Sequence, residues 1–439
     1  MNTEGKHSHT GTNELLQRRE KYFAGSYLFY KTPVEIVKGE GIWLFDKQGN
    51  CYLDCYNNVA SVGHCHPKVV AALSEQAATL NTHTRYLNEK IINYSEHLAS
   101  TMPTGLDICL YTCTGTESNE LAMRMARKIT GNHGIIIMEH SYHGNSTLIH
   151  ELSSCLYPLD ECPDYVAMVE PPNTYRGSFR SSQSFNDAEL AEKYANLIDA
   201  AIKKLVDAGH GVAAFICDAI FDSQGTLDAP SEYFKQVYEK VRAAGGLCIA
   251  DEVQPGFGRL GEHMWGFEHY DVLPDIVTLG KPMGGGHPTA GVVTTREFAD
   301  SFFQKAFYFN TFGGNPVSAA VAEAVLTVIE EEGLQQNAHE VGSYLQDKLE
   351  KLAQKQPLIG DIRGRGLFFG VELVKDRKTL EPAYKETRII AENMKNEGVL
   401  IGSVGRFGNV IKIRPPLVFS KENADLLIEK LDKLLTEVN

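Results

Sequence analysis

The sequence predicts an α/β fold, with a large domain in which a mostly parallel sheet lies between helices and a smaller α+β domain drawn from both termini. One observation is rhythm. Apolar runs of strand length at residues 108–111, 134–138, 212–216, 246–250, 276–277 and 290–293 alternate with segments of helical period such as 119–128. Strands that alternate with helices pair in parallel and are covered on both faces. A second observation is placement. Asp251 follows Leu247-Cys248-Ile249-Ala250, and Lys281 follows Asp275-Ile276-Val277-Thr278-Leu279-Gly280. Open sheets of this kind bind ligands at the carboxyl ends of their strands, and that is where the residues with chemistry stand.

The elements follow in order. Residues 1 to about 25 are polar and read as a tail or a first helix of modest order. Ile36-Val37, Ile42-Trp43-Leu44-Phe45 and Tyr52-Leu53, broken by Gly39, Gly41 and Gly49, read as short antiparallel strands with tight turns. Pro67 opens a helix with Val69, Val70, Leu73 and Ala77 at helical spacing. After the alternating middle, Gly313-Gly314-Asn315-Pro316 starts a long helical region running through Val325 and Ile329 towards Leu349. Residues 360–373 return to strand patterning, and an amphipathic helix from Glu422 closes the chain. The expected division is 1–75 as the N-terminal part of the small domain, 76–320 as the large domain and 321–439 as the rest of the small one.

Composition narrows the class. A formal charge of −14 over 439 residues, with no basic block, argues against nucleic-acid binding. No apolar stretch approaches the roughly 20 residues that span a bilayer. The polar start Met1-Asn2-Thr3-Glu4-Gly5-Lys6-His7 is not that of a signal peptide, so a cytoplasmic protein is expected. Nine cysteines, an odd number confined between Cys51 and Cys248, read as reduced thiols. Gly63-His64-Cys65-His66-Pro67 lacks the ligand spacing of a zinc site, and no metal is expected.

Lys281 and Asp251 together point to one chemistry. A lysine at a strand end can form a Schiff base with an aldehyde cofactor, and a buried aspartate can keep a pyridine nitrogen protonated. That is the chemistry of pyridoxal 5'-phosphate. Taken singly, the lysine reads as solvent-facing and the aspartate as a helix cap; the pair favours the cofactor. Thr114-Gly115-Thr116-Glu117-Ser118-Asn119 follows a strand and opens a helix, where small residues, hydroxyls and the helix dipole suit a phosphate. Alone it would pass for a capped helix start. Tyr142, in Tyr142-His143-Gly144, is placed to stack on the cofactor ring, although a lone tyrosine is as often a loop anchor. Gln254 is placed to reach the ring's phenolic oxygen, or else faces solvent.

The order Gly115-Thr116, Tyr142-His143-Gly144, Asp251-Glu252-Val253-Gln254-Pro255-Gly256-Phe257-Gly258-Arg259, Lys281 and Thr311-Phe312-Gly313-Gly314-Asn315-Pro316 resembles that of class III aminotransferases, the fold-type I pyridoxal phosphate enzymes. The resemblance runs from about Pro33 to the C-terminus. It implies that Gly115 and Thr116 hold the cofactor phosphate, Tyr142 stacks, Asp251 pairs with the pyridine nitrogen and Lys281 forms the Schiff base. It also implies a homodimer with the active site at the interface, where Thr311 reaches the phosphate bound by the other subunit.

Within that family, the segments from Tyr56-Asn57-Asn58 to His66-Pro67, from Asn81 to Leu87, and Gly280-Lys281-Pro282 with Gly286-His287-Pro288 are similar to phospholyases acting on phosphoethanolamine and phosphohydroxylysine. Lys412, in Val410-Ile411-Lys412-Ile413-Arg414-Pro415-Pro416, aligns with an arginine that grips an α-carboxylate in many family members. An ammonium is a point charge that suits a phosphate or phosphonate equally well. Arg414 shares its face by period two and could shift that alignment. Arg85, Lys412 and Tyr56 are the expected substrate contacts, against the plainer reading of Arg85 as a surface or interface arginine. Ser61, Cys113-Thr114-Gly115-Thr116 and Asp218 depart from the phospholyase pattern. These readings imply an ammonia-releasing elimination on a short amino compound bearing a phosphonate or phosphate. The favoured substrate is (R)-1-hydroxy-2-aminoethylphosphonate, giving phosphonoacetaldehyde and ammonia. The alternatives are a phosphoethanolamine-type phospholyase and an ω-transaminase.

Overall fold

The computed structural model describes residues 10–23 and 28–438. The polar start Met1 to His7, read above as no leader, lies outside them. A helix spans Thr10–Tyr22. Three antiparallel strands follow, β1 (Ile36–Glu40), β2 (Trp43–Asp46) and β3 (Cys51–Asp54). Gly41 and Gly49 make the reversals at φ of +57° and +87°, which suit a residue without a Cβ. The other edge of β3 pairs in parallel with a strand from the far end of the chain, Leu53 opposite Val399, so the two termini share one sheet.

The central sheet has seven strands: β4 (Ile108–Thr112), β5 (Gly134–Met138), β6 (Val166–Val169), β7 (Val212–Cys217), β8 (Leu247–Asp251), β9 (Ile276–Leu279) and β10 (Ala290–Thr294), in the order β4-β10-β9-β8-β7-β5-β6. Two details differ from the sequence expectation. Strand β10 runs antiparallel to both neighbours, because only a short turn-rich link separates it from β9 and a parallel return needs a crossover of a dozen or more residues. Strand β6 was not expected. Its apolar run is four residues long, too short for a clear periodic signal.

The helix Gly115–Thr130 lies against the sheet, capped by Thr114, whose hydroxyl accepts the Glu117 amide at 3.2 Å, and ended by Gly131 at φ +73°. The long helical region is two helices, Pro316–Glu331 and Leu334–Lys355, since Gly333 takes a left-handed conformation between them. A third sheet gathers β11 (Ile359–Arg365), β12 (Phe368–Asp376), β13 (Glu381–Pro382), β15 (Gly402–Val404) and β16 (Val410–Ile413), while β14 (Val399–Leu400) is the strand paired with β3. The closing helix is Lys421–Val438. Among the described residues no helix is long and apolar enough to cross a membrane.

Candidate active site

Strand β8 delivers Asp251 and β9 delivers Lys281 to the same edge of the sheet. Thr278 pairs with Asp251, and Lys281 stands three residues further on in a 3-10 turn. Its φ of +24° is costly for a residue with a side chain, on the order of 1–3 kcal/mol, and persists only where neighbours enforce it. One such neighbour is Ser61, whose buried hydroxyl donates to the Pro282 carbonyl at 3.2 Å. That places Ser61 under the lysine turn. Among the described residues the Lys281 amine has no hydrogen-bond or ion-pair partner. Burial, then the Arg414 charge, holds it below the usual lysine range against the opposing pull of Asp251, Asp222 and Asp218. Lowering the pKa of an amine makes its nucleophilic, uncharged form easier to reach.

Asp251 is buried and fully engaged. Its Oδ2 accepts from Asn119 Nδ2 at 3.0 Å and faces His143 Nδ1 at 2.7 Å, while Oδ1 accepts the Val253 amide at 3.1 Å. These contacts fix the carboxylate plane. Among the described residues the buried His143 Nε2 has no hydrogen-bond partner.

Around this pair the backbone leaves no room for side chains. A Cβ on Gly115 would meet Val253 at 2.9 Å, and one on Gly144 would meet Thr116 Oγ1 at 2.5 Å. The first-turn amides of Gly115 and Thr116 have no helical acceptor and point to a cavity of about 180 Å³. Gly115, Thr116, Tyr142, Asp251, Gln254 and Lys281 all line it. Tyr142 is half-exposed at its mouth. These residues fit pyridoxal 5'-phosphate. Bare amides and a hydroxyl at a helix start suit its phosphate, a fixed carboxylate suits its ring nitrogen, and an unpartnered amine suits its aldehyde.

Beside the cavity, strand β16 and the residue that follows it bring two buried cations, Lys412 and Arg414, to the lining residues Asp222 and Gln254. Lys412 Nζ lies 2.6 and 2.8 Å from the two carboxylate oxygens of Asp222. Gln254 joins the network by donating to Asp222 at 3.0 Å and accepting from Asn58 at 2.6 Å and from Arg414. Arg414 also donates to the Tyr56 carbonyl at 3.0 Å and lies 4.9 Å above the Tyr56 ring. Burial would raise Asp222, but Lys412, Arg414 and Lys281 hold its carboxyl below the usual range. Burial and Arg414 push Lys412 down to about 8, against the opposing pull of Asp222. Asp218 is the opposite case. Burial, then the charges of Asp222 and Asp251, push it up to about 7.

Four of the expected residues do not line this cavity: Lys412, which lies beside it on Asp222, Tyr56, Arg85 and Thr311. Arg85 is exposed, its guanidinium 3.9 Å above the Phe309 ring, and Thr311 is exposed in the segment before Gly313. Neither lines the cavity of this single chain. His64 faces Asp54 at 2.7 Å and His66 faces Glu332 at 3.2 Å. Two residues escaped the sequence reading. Asn119 sits one turn into the helix after Gly115, a position that could have flagged it as inward-facing; Asp222, in an irregular turn after β7, gave no signal.

A lysine on a strained turn, a fixed aspartate and a glycine-lined helix start together define a pyridoxal phosphate site. The class-III aminotransferase profile matches residues 29–435, and the chain belongs to that family. It is a pyridoxal phosphate-dependent enzyme. The chain is 45% identical over 433 residues to an alanine–glyoxylate aminotransferase 2-like protein of Drosophila melanogaster, covering 97% of this chain and 87% of that one. It is 39% identical over 441 residues to ethanolamine-phosphate phospho-lyase homolog 1 of Caenorhabditis elegans, covering 97% and 94%. Among solved structures, a phospholyase from Arthrobacter in complex with phosphoethanolamine matches with a TM-score of 0.92 and 44% identity, covering 96% of this chain and 99% of that one.

Proposed function

We propose that the enzyme is an ammonia-releasing lyase acting on a short amino compound that carries a phosphonate or phosphate, with (R)-1-hydroxy-2-aminoethylphosphonate favoured. The observation that carries this reading is the buried Lys412–Asp222 pair. A transaminase binds a second, carboxylated substrate, and here the strand cation already holds an internal carboxylate. A phosph(on)ate has three oxygens that point charges and hydroxyls can share, and Arg85, Lys412 and Tyr56 are the contacts proposed for it.

When bound, the cofactor supplies an electron-withdrawing ring. Asp251, oriented by Asn119 and His143, keeps the proton on the ring nitrogen. Gly115 and Thr116 would hold the phosphate end, and Tyr142 and Gln254 would contact the ring. The Lys281 amine would take a proton from the amine-bearing carbon of the substrate. A leaving group on the adjacent carbon departs, and the unsaturated amine that remains hydrolyses to an aldehyde and ammonia.

The assembly proposed is a cytoplasmic homodimer, with Arg85 and Thr311 completing the partner's site. Supporting this, Tyr86, Leu87, Phe307 and Phe312 are exposed around them, an apolar surface of the kind that marks an interface. Segments 1–75 and 321–439 form the proposed small domain around 76–320.

The second reading, phosphoethanolamine phospholyase, is favoured by the similarity to the Arthrobacter enzyme. One assay separates the readings. Each compound is offered without a keto acid, and ammonia, aldehyde and inorganic phosphate are followed. Phosphonoacetaldehyde with ammonia is expected; phosphate with acetaldehyde selects the second reading. Turnover only on addition of pyruvate or 2-oxoglutarate means a transaminase.

A further inference from the structure

We propose that Asp218 is the acid that gives its proton to the departing hydroxyl, an inference that rests on the elimination reading above. Three carboxylates, Asp218, Asp222 and Asp251, face one cavity with Lys281. Two are held by several donors or an ion pair. Asp251 takes hydrogen bonds from Asn119 and the Val253 amide and faces His143, and Asp222 takes Lys412 and Gln254.

Asp218 is furnished differently. Its side chain receives only the Asp222 amide, at 3.2 and 3.3 Å to its two oxygens, and among the described residues it has no cationic partner. The sheet register places it beside a negative neighbour. Cys217 of β7 pairs with Ala250 of β8, so the next residues, Asp218 and Asp251, emerge side by side at the carboxyl edge. Of three carboxyls in a shared low-dielectric space, the one without a counter-charge is the one that keeps its proton. Its titration near 7, with Asp222 and Asp251 raising it and His143 lowering it, agrees with that arrangement. The cations next to the cavity, Lys412 and Arg414, are engaged by Asp222 and Gln254, and among the described residues Lys281 forms no ion pair with Asp218.

Hydroxide is a poor leaving group and needs a proton as it departs. The step balances with groups already in the cavity. The C–H bond on the amine-bearing carbon breaks, its proton going to Lys281 and its electron pair to a new carbon–carbon double bond. The C–O bond on the adjacent carbon breaks with its pair on oxygen, which takes the Asp218 proton and leaves as water. Lys281 then holds a positive charge and Asp218 a negative one, and return of the proton from one to the other resets both. No oxidant or reductant is involved.

The test uses the holoenzyme and Asp218→Asn, with 1-hydroxy-2-aminoethylphosphonate and its 1-chloro analogue, whose chloride leaves without a proton. Loss of a general acid is expected to lower water elimination by about 100-fold or more. Chloride elimination and exchange of the amine-carbon hydrogen with deuterated water should stay within about threefold of wild type, a change too small to reflect loss of a general acid. Independently of turnover, the infrared difference between substrate-free wild type and variant should show a protonated carboxyl that ionises near 7. Equal loss on both leaving groups makes Asp218 structural and overturns the inference, as does unchanged water elimination or a carboxyl already ionised well below that pH. Should Asp218→Asn not fold, Asp218→Ser replaces it in all three measurements. A wild type that eliminates neither group without a keto acid fails the lyase reading itself, and the inference with it.

Discussion

At Lys281 a left-handed backbone aims the side chain from a strained turn, while burial and then the Arg414 guanidinium disfavour its charged form. Borohydride reduction of the yellow holoenzyme should therefore fix the cofactor on the peptide containing Lys281, and label on another lysine would remove that assignment. Asp251→Asn should keep the cofactor yet lose far more than tenfold in turnover, beyond about 1.4 kcal/mol of barrier, because an amide cannot stabilise a pyridinium charge. Activity within tenfold of wild type would take Asp251 out of the mechanism. Burial also raises two acids, Asp218 to about 7 and Glu252 to about 8, the latter despite amide donors from Gly266 and Phe267. A carboxyl raised on folding leaves the unfolded chain to ionise first. Its contribution thus erodes stability as pH climbs from about 4, its unfolded value, to its folded one. Urea denaturation should show Asp218→Asn gaining at pH 8 relative to pH 4, by at most about 4 kcal/mol, and an identical pH dependence in both proteins would contradict the raised value.

The elements were legible where their periodicity was long. The helix from Pro67, the strand ahead of Asp251 and the glycine turns between β1, β2 and β3 stand where their patterns put them. The four-residue β6, the direction of β10 and the break at Gly333 were not, because none changes hydrophobic periodicity over a window long enough to read. Packing also fixes positions that look free in sequence. Gly342 lies mid-helix, where alanine has the better propensity, yet a Cβ there would stand 2.1 Å from the Gly366 carbonyl oxygen. Gly342→Ala should therefore destabilise by about 1–3 kcal/mol in urea titration, despite its gain in helix propensity. A gain in stability instead would mean that the helix does not pack on that loop.

For the whole molecule, the homodimer proposal joins two otherwise separate observations, the absence of Arg85 and Thr311 from the cavity and the exposed aromatic surface beside them. Sedimentation should give a particle of twice 48.6 kDa. Placing charge in the surface, as in Phe312→Glu, should shift it towards the monomer and weaken cofactor retention together. A variant that dissociates but keeps its cofactor as tightly would detach Thr311 from the phosphate site.

Family, cofactor and the pairing of Lys281 with Asp251 were determined by the sequence alone, because each rests on a short local motif whose residue types and strand-end position already state their chemistry. The partners of those residues were decided by tertiary structure. Asn119 reaches Asp251 across 132 residues, Arg414 reaches Gln254 across 160, and Lys412 reaches Asp222 across 190. No local pattern encodes such contacts. They exist because the β16 segment carries Lys412 and Arg414 to residues that follow β7 and β8, and that contact changes Lys412 from an apparent free anion anchor into one half of an internal ion pair.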